Sequence, residues 1–91
     1  MQHLNTKKSE LIFKALSKVV KEERIKQNKS IRILADEFDL QKSLISRLEN
    51  CINEPKLISI WSVCEALGIK PSELLKKIEE ELPQEFSLIE K

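Results

Sequence analysis

Only one histidine and one glycine occur in this chain, and that scarcity excludes whole classes of chemistry. A single glycine cannot build a glycine-rich phosphate loop. The one histidine, His3, stands isolated in the polar stretch Met1 to Lys8, and no metal-ligand cluster or nucleophile-and-base spacing occurs elsewhere. Catalysis is therefore not expected, nor is a cofactor or a metal. The two cysteines, Cys51 and Cys64, lie outside any metal-like spacing, and there is neither a secretory leader nor an apolar run near 18 residues. These absences point to a soluble chain in a reducing cytoplasm, with no membrane partner. An excess of charge of one sign is missing too: 16 basic against 15 acidic residues leave a net charge of +1, which does not by itself suggest nucleic acid.

What is present is dense, unevenly placed charge. Charged residues make up 34% of a 91-residue chain, long enough for one domain that hides only about 60–65% of its unfolded surface. Lys14 to Lys56 carries ten basic and seven acidic residues, and Leu57 to Lys91 four and seven. A positive front and a negative back suit a module that turns one side to phosphate, although a solvated charged face is the plainer alternative.

Periodicity predicts five helices. From Ser9, placed to cap, Leu11, Ile12, Leu16, Val19, Val20 and Ile25 recur at helical intervals up to Asn28, a residue suited to a left-handed stop. In SIRILADEF, Ser30 caps a second helix with Leu34, Ala35 and Phe38 inward. Asp39 tolerates a left-handed bend, and Leu40 plugs the angle. In QKSLISRLEN, Ile45 and Leu48 point inward while Lys42, Ser43, Ser46, Arg47 and Asn50 point out, with Leu44 expected beside Leu48 in the core. Two short helices about a tight bend make a helix-turn-helix. Pro55 opens a fourth helix, whose apolar face holds Leu57, Ile60, Trp61, Val63, Cys64 and Leu67 and which Gly68 ends; Trp61 is expected in or at the edge of the core. Pro71 and Ser72 open a fifth that Pro83 ends, followed by the apolar tail QEFSLIEK, a short strand or a segment lying on the body. The organisation expected is a disordered N-terminus 1–8, a domain 9–82 and a tail 83–91.

The residues Ser30, Arg32, Leu34, Ala35, then Ser43, Ile45, Ser46 and Glu49, then Asn53-Glu54-Pro55 and Val63 to Ile69, closely resemble the pattern of the lambda-repressor-like (Cro/repressor, xenobiotic-response-element) helix-turn-helix family. The resemblance covers about Val20 to Leu75, with Asp39 and Cys51 standing where the family usually has glycine and Cys64 where it has alanine. It implies an all-α, five-helix DNA-binding domain. It also implies that Lys42, Ser43 and Arg47 occupy base-reading positions, and that Arg24 pairs with Glu49 to brace the reading helix.

A helix with donors on its outer side fits the DNA major groove, where an arginine such as Arg47 can take guanine O6 and N7 together. Ser30, Arg32, Gln41, Ser46, Asn53 and Lys56, at or near helix starts with free N–H groups, are the expected phosphate contacts. Apolar residues in the back half, Leu74, Ile78, Leu82, Phe86, Leu88 and Ile89, are the expected homodimer interface. The leading reading is thus a transcriptional regulator, a repressor on a palindromic operator. An autorepressing antitoxin, its surplus apolar residues meeting a toxin protein, is the alternative, with a restriction-modification controller or a pure protein-interaction module behind it.

Overall fold

Lysine, glutamate and isolated serines do not break a helix, and α1 accordingly starts ahead of its apolar pattern, spanning Thr6–Lys26. Residues 6–8, expected in a disordered end, are helical, and Ser9 lies inside the first turn instead of capping it. The computed structural model describes residues 6–50 and 54–89. His3, Cys51 and Asn53 lie outside the described residues.

Four more helices follow: α2 Ile31–Phe38, α3 Lys42–Asn50, α4 Leu57–Leu67 and α5 Pro71–Glu81. Three left-handed residues shape the corners: Asn28 (φ 57°) after α1, Asp39 (φ 55°) between α2 and α3, and Gly68 (φ 77°) after α4. Ser30 Oγ accepts the N–H of Ile33 at 3.1 Å, the side-chain cap of α2. At α5, Pro71 takes the first helical position, where no N–H is needed, and the Glu73 carboxylate accepts the N–H of Lys70 at 3.1 Å.

All five helices feed one core. Leu16, Val19 and Val20 of α1 meet Leu34 and Ala35 of α2, Ile45 and Leu48 of α3, Val63, Cys64 and Leu67 of α4, and Leu74 and Ile78 of α5. Helix α1 packs on α3 and α5, and α4 bridges α2, α3 and α5. Two polar bonds lock the packing: Ser17 Oγ donates to the Leu48 carbonyl (2.6 Å) and the Gln27 amide to the Leu67 carbonyl (2.7 Å). No helix among the described residues is long and apolar enough to cross a membrane.

Several apolar residues depart from the expected pattern. Phe38, Ile25, Leu57 and Trp61, expected inward, are substantially exposed, as is Leu11, one of the surplus apolar residues of α1. Phe38 is the last residue of an eight-residue helix, so its ring swings out to lie 5.8 Å beneath Lys29 Nζ, and half-buried Leu40 takes the inner place. Conversely, Leu74 and Ile78, expected at a dimer interface, are buried in the chain's own core, because α5 lays them against α1 and α4. This corrects their assignment. Leu82 is half-buried against that core, Phe86 and Leu88 are half-buried, and Ile89 is exposed. Among its described residues the tail makes no strand longer than a single bridging residue at Ile89. It leaves α5 beside α1, where Lys18 Nζ holds the Glu81 carboxylate at 2.9 Å and Leu11, Ala15, Leu82 and Pro83 line one shallow cavity.

Candidate nucleic-acid interface

Helix α3 is held from behind and open in front. Ile45 and Leu48 anchor its inner side, and Leu44 is half-buried against the core. Its C-terminal end is tied to α1 twice, once by Ser17 and once by a buried ion pair. Arg24 Nε donates to Glu49 Oε2 at 2.7 Å and Nη2 to Oε1 at 2.9 Å, while Nη1 donates to the Lys29 carbonyl at 2.7 Å. The two side chains are only 12% and 5% exposed. A guanidinium fork in this two-point grip fixes angle as well as distance, so it sets how α3 stands on α1. Its hydrogen bonds to Glu49 hold the Arg24 pKa above the ordinary value.

The open side of α3 is flanked by two concavities. One is lined by Arg24, Ser30, Ile31, Arg32, Lys42, Ser43 and Ser46, between the starts of α2 and α3. The other is lined by Gln41, Ser43, Arg47, Pro55, Lys56 and Ser59 among others, between α3 and the start of α4. Ser43 belongs to both. The N-terminal ends of three helices therefore gather around the outer face of α3. At α4 the residue before the helix, Lys56, places no side chain on the first N–H groups.

Charge follows the same geometry. Arg32, Lys42, Arg47 and Lys56 are all exposed, and among the described residues none stands within 4 Å of a carboxylate. The acidic residue bordering either concavity is Glu54. Lys29, by contrast, is held at 2.6 Å by Glu37 and faces away from this role. Four unpaired cations and three helix starts gathered around the outer face of α3 can grip two phosphate ridges while the side chains between them meet base edges.

Each expected site residue other than Asn53, which lies outside the described residues, can be placed. Lys42, Ser43 and Arg47 project together from the exposed side of α3, and Ser30, Arg32, Gln41 and Lys56 border them. Ser46 is half-buried and its hydroxyl accepts from the Asn50 amide at 3.1 Å, with the same amide on the Ser46 carbonyl at 2.7 Å. One contributor escapes the sequence: Ser17, whose only trace is a polar residue set between Leu16 and Val19 on a buried stripe.

A family model described as Helix-turn-helix matches residues 20–74. Among solved structures, that of the clp gene regulator ClgR from C. glutamicum is similar, with a TM-score of 0.68 and 24% identity over 79% of this chain and 94% of that one. No curated protein matches.

Proposed function

Because the chain belongs to the lambda-repressor-like helix-turn-helix family of DNA-binding transcriptional regulators, we propose that it is a cytoplasmic, non-catalytic repressor that binds a palindromic operator as a two-fold dimer. One observation carries the reading: unpaired Arg32, Lys42, Arg47 and Lys56 converge with three helix starts on the outer face of α3. In this reading α3 enters the major groove. Arg47 takes a guanine edge, Lys42 and Ser43 read beside it, and Ser30, Arg32, Gln41, Ser46, Asn53 and Lys56 hold phosphates on either side. Two-fold symmetry matches two half-sites about one turn, roughly 34 Å, apart.

The near-neutral net charge does not oppose this, since affinity depends on the cations that meet phosphate and release counterions. Titration of a duplex pool at several salt concentrations is the test. A dimer with six or more phosphate contacts should give a log–log slope of about −5 or steeper, and a flat response overturns the proposal.

A further inference from the structure

Among the described residues, α4 carries more exposed large apolar side chains than any other helix. Leu57 is 66%, Ile58 74% and Trp61 48% exposed, although the opposite side of the same helix buries Val63, Cys64, Ala66 and Leu67. At roughly 100° per residue, Leu57, Trp61, Glu65 and Ile58 fall within about 100° of arc, on the side away from the core. Glu65 is the one charged residue of α4. A helix apolar on both faces is normally enclosed on both, and here only one is.

We propose that this outer face of α4 is where a second copy of the chain docks. The proposal rests on the two-fold reading above and gives it a location, in place of the C-terminal residues expected from the sequence. A two-fold contact must match itself, and the apolar patch of Leu57, Ile58 and Trp61 does so, with Glu65 one turn beyond Trp61 along the helix, whereas the exposed Glu79 and Glu80 on α5 would repel their own copies. The area fits as well. The three side chains leave roughly 400 Å² of accessible surface, close to the roughly 500 Å² of apolar area expected on each side of a standard interface of about 800 Å² per partner. The described part of the tail does not cover them, because Leu82 and Pro83 turn toward α1. Position completes the case. The start of α4 shares a concavity with Arg47, so a copy bound to the outer side of α4 sets both α3 helices on one surface of the pair.

Trp61 is the chain's single tryptophan and reports on the contact directly. Sedimentation and Trp61 fluorescence, with iodide quenching, are followed from sub-micromolar to high micromolar concentration for wild type, Ile58→Glu and Ile89→Glu, with circular dichroism to establish that each is folded. The expected result is a wild-type dimer whose Trp61 emission shifts to the blue and loses iodide access over the same concentration range. Ile58→Glu should be a folded monomer at tenfold or higher concentration with no shift, and Ile89→Glu should behave as wild type. Should Ile58→Glu not fold, the Trp61 response of wild type and Ile89→Glu decides. A wild-type dimer whose Trp61 signal ignores concentration, or one broken by Ile89→Glu and not by Ile58→Glu, overturns the α4 assignment while leaving the dimer standing. A wild-type monomer throughout overturns both, and DNA binding by the monomer, measured separately, would still stand.

Discussion

Arg24→Ala is the perturbation whose cost the structure specifies most closely. It removes a bidentate cation from Glu49, a carboxylate only 5% exposed on a helix anchored in the core by Ile45 and Leu48. Breaking a buried pair from one side costs about 3–5 kcal/mol, a large share of the roughly 5–14 kcal/mol total for a domain of this size. At about 4–8 °C per kcal/mol, melting should fall by some 15 °C or more. Glu49→Ala should cost less, about 1–3 kcal/mol, because Arg24 keeps the Lys29 carbonyl and its long stem can carry the guanidinium outward. The double variant should cost less than the two singles together by about 2 kcal/mol, since it strands neither charge. Urea unfolding followed by circular dichroism measures all three. A loss below about 1 kcal/mol for Arg24→Ala, or additive costs, would refute the argument.

On specific DNA, Arg47→Ala should lose about 1–3 kcal/mol and relax preference at one base pair per half-site, while Arg32→Ala should weaken all duplexes alike; equal losses on specific and random DNA would remove Arg47 from base reading. Burial pushes the Cys64 thiol up to about 11 from an ordinary value near 9, so the unfolded chain releases the proton first and the folded state loses stability as pH rises through that interval. Relative to Cys64→Ala, wild type should hold its advantage below pH 9 and lose about 2–3 kcal/mol of it by pH 11; a constant gap in unfolding free energy over that range contradicts this. Deleting residues 83–91 should lower thermal stability by exposing the surface under Phe86 and Leu88 yet leave sedimentation unchanged, and a truncated monomer would return the interface to the tail.

The corners were legible because side-chain type encodes them: Asn28, Asp39 and Gly68 are the residue types that enter the left-handed region at least cost, and all three do. The inner stripes of α1 and α3 were legible for the same reason, an apolar period with polar residues opposite. Helix α4 was not, because a stretch apolar all round gives periodicity nothing to choose between, and Leu57 and Trp61 were turned the wrong way. Leu74 and Ile78 erred in the opposite sense: no one-dimensional pattern says how much of a stripe the neighbouring helices will cover. The meeting of Arg24 with Glu49 was readable through family resemblance alone, since nothing local joins positions 25 residues apart. On the reading face, exposure followed from pattern, but the convergence of three helix starts needed the fold.

The left-handed Asp39 bears on the speed of binding as well as on shape. With the bend between α2 and α3 made by one left-handed residue, and α3 clamped to α1 by Arg24 and Ser17, the helix proposed to read DNA would meet it already in place. No internal rearrangement then stands between encounter and fit, and capture becomes a matter of diffusion guided by charge. Added salt should therefore slow arrival at DNA, through the four unpaired cations, as well as hasten departure.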